Sequence, residues 1–251
     1  MIDKAEIKHR FRRSIESYEE NASVQRKIAD YLFGLLVRFL DYPPQRVLEI
    51  GCGTGLFTSC LRERIQPSVL YVNDLVEEMC LKTAGRCGIP LTHCLAGDIE
   101  EREIPGSFDL MVSSSTFQWF SRPDETLKKL AAHLSPGGLL AFSTFGPRNM
   151  AELRPFAFNG LQYHSGRELT ACLASRFEIL CFEEQCEQLY FAEAVDVLRH
   201  LKKTGVNATG SSVFWTKATL QQFACRYEKD GSGDRFPLTY HPMYFVCRKP
   251  V

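Results

Sequence analysis

Residues Val47-Leu48-Glu49-Ile50-Gly51-Cys52-Gly53-Thr54-Gly55 carry the densest chemical signal in the chain. An apolar run stops in three glycines and gives way to a helical pattern from Leu56 to Glu63. Glycine tolerates positive φ and lets a ligand approach the backbone more closely than any Cβ allows. The helix start behind it offers unpaired N–H groups. A strand, glycine loop and helix in this order form a nucleotide-type site. Spacing separates the classes: a dinucleotide fingerprint, G-x-G-x-x-G, needs a third glycine where Leu56 stands, and the pattern here is E-x-G-x-G-x-G.

Two carboxylates follow at distances a βαβ unit requires. Asp74 closes the run Val69-Leu70-Tyr71-Val72, where a carboxylate at a strand's C-terminal end can accept both hydroxyls of a ribose. Asp98, in Ala96-Gly97-Asp98-Ile99, closes a third run. Either could instead cap a helix, a common role for Asp after a strand.

The elements that must position these groups can be read from hydrophobic period. Strands are expected at Arg46–Ile50, Val69–Asp74, Thr92–Ala96, Phe108–Ser113, Leu139–Phe145, Phe177–Phe182 and Met243–Arg248, with helical patterns alternating with the first six. This alternation predicts an α/β fold, a doubly wound, mostly parallel sheet with its ligand crevice beyond the carboxyl ends of the strands. Ser135-Pro136-Gly137-Gly138 reads as a tight turn into the fifth strand. A single domain of 251 residues is expected, with two segments outside its core. Residues 1–42 are expected as an N-terminal helical extension, with a basic start and an amphipathic helix near Val24 to Leu40; residues 185–235 hold helical patterns near Ala192–Lys203 and Thr216–Glu228, separated by a break at Thr204-Gly205-Val206-Asn207, and should form a helical cap over the crevice.

Composition narrows the function further. Thirty basic and thirty acidic residues leave no net charge, which removes the broad electrostatic footprint of a nucleic-acid binder. No membrane-length apolar run and no signal-peptide core are found, so no membrane association and a cytoplasmic location are expected. Ten cysteines are scattered without a C-x-x-C pair, and the six histidines form no H-x-x-x-H pattern; no metal site is expected.

The E-x-G-x-G-x-G loop resembles motif I of class I S-adenosylmethionine (SAM) methyltransferases, whose fold is a Rossmann-like seven-stranded sheet. Over nearly the whole chain the sequence resembles one family more narrowly, the malonyl-acyl-carrier-protein O-methyltransferases of biotin synthesis. That likeness rests on Phe11-Arg12-Arg13-Ser14 with Ser17-Tyr18, on Val24-Gln25-Arg26, on Phe117-Gln118-Trp119, on Ala141-Phe142-Ser143-Thr144 and on Leu201-Lys202-Lys203-Thr204-Gly205. Departures are Ser114, where the family often has Asn, and Thr204-Gly205-Val206, where it usually has Ile-Gly-Ala.

The resemblance implies SAM as cofactor and S-adenosylhomocysteine as product. It assigns Glu49, Gly51, Gly53 and Gly55 to the cofactor loop, with Cys52 between the glycines and no role for its thiol as a nucleophile. Asp74 and Leu75 would take the ribose region, Asp98 the adenine amino group, Ile99 the adenine ring, and Ser114 the end of the fourth strand. The acceptor would be the free carboxylate of a malonyl group on acyl carrier protein, already ionised at neutral pH with a pKa of roughly 4, so no strong base is required. A neutral donor suits the reacting oxygen better than a tight arginine clamp. Tyr18 is the first candidate for it, followed by Gln118 and Trp119; Arg154 and His164 are candidates for the distal end of the substrate. Tyr18 and Trp119 also suit a purely packing role. The basic run Arg199-His200-Leu201-Lys202-Lys203 could meet the acidic carrier protein or be a solvated helix face. Rival functions are methylation of a free small acid or quinone precursor, and SAM binding without catalysis.

Overall fold

Apolar runs that must bury both faces form the centre of the molecule: β1 (Arg46–Ile50), β2 (Val69–Asp74), β3 (Cys94–Ala96), β4 (Phe108–Ser113) and β5 (Leu134–Phe145). The computed structural model describes residues 3–156, 161, 163–204, 216–231 and 233–251, and for residues 17–21 the backbone alone. With β6 (Glu178–Glu184) and β9 (Pro242–Arg248) these strands make a seven-stranded sheet in the order β3-β2-β1-β4-β5-β9-β6. Only β9 runs antiparallel to its neighbours, placing the last strand between β5 and β6. In register, Val47 lies between Leu70 and Leu110. Residues of one parity, such as Val47, Val72 and Val112, pack beneath one helical layer, and Leu48, Met111 and Phe142 beneath the other.

The helices are α1 (Lys4–Asn21), α2 (Ser23–Leu36), α3 (Leu56–Cys60), α4 (Glu77–Cys87), α5 (Pro123–Ala132), α6 (Gly166–Ala174), α7 (Ala194–Lys203) and α8 (Lys217–Arg226). The chain winds outward through β1, β2 and β3, then returns to β4 beside β1. That reversal opens a crevice at the carboxyl ends of β1 and β4, the usual place for a ligand in such sheets.

The structure corrects the sequence reading in four places. No helix joins β3 to β4: the ammonium of Lys129 donates to the carbonyls of Ile99, Glu100 and Arg102, and the Glu100 carboxylate accepts from the N–H groups of Ser121 and Arg122. Bonds to α5 thus replace the bonds a helix would make. Second, β5 begins at Leu134, and Ser135 to Gly138 form a bulge inside it, between the pairs Phe108↔Leu134 and Leu110↔Leu139.

Third, the N-terminal extension is helical as expected, but the basic start, read without an element of its own, forms a full helix, α1, ahead of the amphipathic one. Asp3 caps it, accepting from the N–H groups of Ala5 and Glu6 at 3.0 Å each. Its residues 4, 7, 11 and 14 fall on one face and turn inward. Fourth, the segment expected as a purely helical cap also carries β7 (Glu187–Phe191), which pairs antiparallel with β8 (Phe236–Tyr240). The expected break at 205–207 lies outside the described residues. Val197, Leu201, Phe223 and Leu238 join the same apolar cluster as α2 and β1, so the cap shares the core. No described helix is long and apolar enough to cross a membrane.

Candidate active site

Gly51, Gly53 and Gly55 take positive φ angles of 73°, 53° and 92°. At Gly51 an added Cβ would stand 2.0 Å from Thr116 Oγ1, so glycine is needed there to admit the protein itself. At Gly53 it would meet nothing within 4 Å and would project into a cavity. Asp74 at the end of β2 fastens this loop, accepting from the N–H of Gly53 at 2.9 Å and from that of Val76 at 2.8 Å. Burial pushes the Asp74 carboxyl up to about 6, with those two donors holding it back.

The cavity and its mouth to solvent together span about 1000 Å³. Gly51, Gly53, Asp74 and Leu75 form one wall, and Asp98 with Ile99 another. Asp98 is not free: Lys4 at the start of α1 reaches it at 3.0 Å and also reaches Glu100 at 2.7 Å. Lys4, Ile7 and Phe11 therefore make α1 the roof, and the Phe11 ring meets Trp119 edge to face at 5.6 Å.

After β4 the chain turns sharply. Ser115 sits at φ 56°, unusual for a residue with a side chain, and its N–H donates to Ser143 Oγ at 2.9 Å. Gln118 donates through Nε2 to the Ser115 carbonyl at 2.5 Å, which leaves Gln118 Oε1 buried and without a protein partner. A smaller cavity opens off the first, sharing Gln25, Gly51, Gly53, Ser114 and Ser115 with it and adding Glu49 and Cys52. Glu49 Oε2, Gln25 Oε1 and Ser115 Oγ are likewise buried without partners. Burial pushes the Glu49 carboxyl up to about 8. Unpaired polar groups of this kind are rare in a finished interior and point to a ligand that completes them.

The methyltransferase family described as "Methyltransferase domain" matches residues 24–176. A malonyl-[acyl-carrier protein] O-methyltransferase of Bacteroides thetaiotaomicron is 38% identical over 99% of this chain and 99% of its own. Its counterpart in Calditerrivibrio nitroreducens is 37% identical over 96% of each chain. The chain belongs to the malonyl-[acyl-carrier protein] O-methyltransferase family. Among solved structures, the YcgJ protein of Bacillus subtilis matches 88% of this chain and 99% of its own at 15% identity, with a TM-score of 0.63. N-methyltransferase NodS of Bradyrhizobium japonicum, in complex with S-adenosylhomocysteine, matches 94% and 99% at 15% identity and a TM-score of 0.53. These two likenesses establish the class I methyltransferase fold.

For a methyltransferase of this family the two cavities fit SAM. The partnerless Glu49 Oε2 and Gln25 Oε1 suit its amino-acid end, the bare Gly53 allows close approach, and Asp74 and Asp98 line the larger cavity at the ends of two neighbouring strands. Of the residues expected from sequence, Gly55 stands apart, starting α3 with its backbone against Thr83 and absent from both cavity walls. Cys52 is buried in the smaller cavity's wall as a free thiol. Gln118 and Trp119 both line the larger cavity. Tyr18 belongs to α1, and its side chain lies outside the described residues. Arg154 is exposed and donates to the Pro147 carbonyl, and His164 is exposed; neither lines the cavity.

Several lining residues escaped the sequence reading. Gln25 had a visible signal, a polar side chain within the buried stripe of α2 that includes Val24, Ile28, Ala29 and Leu32. Lys4 and Ile7 had only the spacing of one helix face. Phe145, Asn149, Tyr163 and Tyr240 had none, because separate elements bring them together at the far end of the cavity.

Proposed function

We propose that this methyltransferase converts the free carboxylate of malonyl-acyl carrier protein to its methyl ester, the early step of biotin synthesis that the resemblance implies. The observation that carries the reading is the likeness to malonyl-[acyl-carrier protein] O-methyltransferases over 99% of both chains, at 38% identity. When bound, SAM supplies an electrophilic methyl group on a sulfonium: a carboxylate oxygen forms the new C–O bond, and the C–S electron pair stays on sulfur. No proton moves, and two opposite charges vanish together.

The chain's own residues then have three tasks. Glu49, Gln25, the Gly51–Gly53 backbone, Asp74 and Asp98 bind and orient the cofactor. Ile7, Phe11, Trp119 and Phe120 exclude water, which favours a transition state less charged than the reactants. Neutral polar groups at the acceptor end align the carboxylate without pinning the oxygen that attacks. The α7 face carrying Arg199, Lys202 and Lys203 is exposed and suits an acidic carrier protein.

The ester removes a negative charge that would otherwise have to enter an apolar chain-elongation site. Intact-mass measurement of malonyl-carrier protein incubated with SAM should show the gain of one methyl group, with acetyl-carrier protein unchanged. Methylation of both, or of a free acid in place of either, would overturn the substrate assignment.

A further inference from the structure

At the acceptor end of the cavity one hydroxyl is held in a manner that packing alone does not require. The turn from Gly146 to Glu152 leaves the end of β5 and is fastened to the β8–β9 junction. The Gly146 N–H donates to the His241 carbonyl at 2.8 Å, the Met150 N–H to the Thr239 carbonyl at 2.8 Å, and the Glu152 carboxylate accepts from the Thr239 N–H at 3.1 Å. Met150 lies at φ 52°, a strained conformation for a residue with a side chain. This strained turn presents Asn149, which is 2% exposed.

Asn149 bridges two groups. The His241 backbone N–H donates to Asn149 Oδ1 at 3.2 Å, and Asn149 Nδ2 donates to the Tyr163 hydroxyl at 2.9 Å. A backbone N–H can only donate, so the amide oxygen must face it and the amide nitrogen must face the phenol. The phenol oxygen is thereby used as an acceptor, which leaves the hydroxyl hydrogen to donate elsewhere. Tyr163 and Asn149 line the same cavity as Gln118, Trp119 and Phe145. Burial pushes the Tyr163 phenol up to about 12, so it stays a neutral donor at any physiological pH.

We propose that Tyr163, oriented by Asn149, donates a hydrogen bond to the acceptor carboxylate and selects substrates that carry one. This rests on the malonyl reading above and deepens it. An arginine clamp would stabilise the charged ground state and lose that stabilisation as the carboxylate becomes a neutral ester. A single phenol fixes the carboxylate's orientation and gives up little as charge disappears. Asn149 is a positioning residue: its amide decides which way the hydroxyl points.

Two conservative variants and their combination test this. Tyr163→Phe deletes only the hydroxyl and should lower kcat/KM for malonyl-carrier protein by about 10- to 100-fold, with SAM affinity unchanged and the melting temperature lowered by at most a few degrees, since Asn149 loses one partner. Competitive inhibition by acetyl-carrier protein, which has neither a carboxylate nor an ester at that position, should be unchanged, a readout that a packing defect would move. Asn149→Asp replaces the amide donor by an acceptor, drawing the Tyr163 proton away from the cavity, and should produce a comparable loss. Once the hydroxyl is absent the amide has nothing to orient, so the double variant should be no worse than the poorer single one.

A kcat/KM within twofold of wild type in Tyr163→Phe overturns the proposal, as does an equal weakening of inhibition by acetyl-carrier protein or a multiplying of the two losses. Should Asn149→Asp fail to fold, Tyr163→Phe with its acetyl-carrier-protein control decides alone. A wild-type protein inactive on malonyl-carrier protein is a different result, which sinks the substrate reading and this assignment with it.

Discussion

Gly51 and Gly53 stand two residues apart and fail for opposite reasons when enlarged. A side chain at Gly51 collides with Thr116, so Gly51→Ala should strain the folded chain and lower its melting temperature whether or not SAM is present. A side chain at Gly53 has room but fills the cavity, so Gly53→Val should keep its fold, apart from the cost of positive φ, and lose SAM binding by calorimetry. Unchanged affinity in that variant would remove the basis for placing the cofactor there. Glu49 gives a pH test. Its carboxyl is raised from the ordinary 4.5 to about 8, so the folded unliganded chain keeps a proton that the unfolded chain releases. The cost of burying it as an anion is absent below about pH 4.5 and grows as pH rises toward about 8. Between about pH 6 and pH 8 the unliganded wild type should lose on the order of 2–3 kcal/mol of stability relative to Glu49→Gln, measured by urea melts. Binding of SAM, which carries an α-ammonium, favours the ionised form and should release a proton, detectable as a calorimetric heat that varies with the buffer's ionisation enthalpy.

Helix α1 covers the cavity proposed for the cofactor, since it places Lys4 on Asp98 and Glu100, and Phe11 on Trp119. Phe11→Ala removes the edge-to-face contact and part of the roof, at about 0.5–1.5 kcal/mol beyond the lost buried area. It should speed SAM dissociation several-fold in stopped-flow experiments and lower the melting temperature by a few degrees; an unchanged off-rate would show that α1 is not a roof. The strands of the sheet were legible because parallel strands buried on both faces read as continuous apolar runs, and the glycine loop was legible because its spacing is local. What the sequence hid was set by partners far along the chain. Glu187–Phe191 forms a strand because Phe236–Tyr240 lies beside it, and residues 97–107 avoid a helix because Lys129 and Glu100 occupy their carbonyls and the neighbouring N–H groups. Asn149 and Tyr163 are single polar residues in irregular backbone, with no period and no motif to mark them. Their relation exists only after the turn has been fastened to the β8–β9 junction.

A chain with no net charge must recognise an acidic protein through local charge. Neutralising Arg199, Lys202 and Lys203 together should raise the KM for the carrier-protein substrate about 3- to 30-fold and leave SAM affinity alone, and added salt should reproduce the effect in the wild type. A salt-independent rate, unaffected by the triple substitution, would return α7 to a solvated helix face. The place of β9 has a different consequence, concerning the order in which the molecule is made. Pro242–Arg248 is synthesised after every other strand, yet it fills the gap between β5 and β6. Until it emerges from the ribosome and docks, the edge of β5 stays unpaired, β6 has no neighbour in the sheet, and Thr239 and His241 just ahead of it cannot tether the Asn149 turn. The nascent protein therefore carries an open, apolar sheet edge from the emergence of β5 until β9 follows it, a surface prone to pairing with other chains. Acceptor-site assembly and relief from that hazard arrive together, when the β8–β9 junction and the last strand dock.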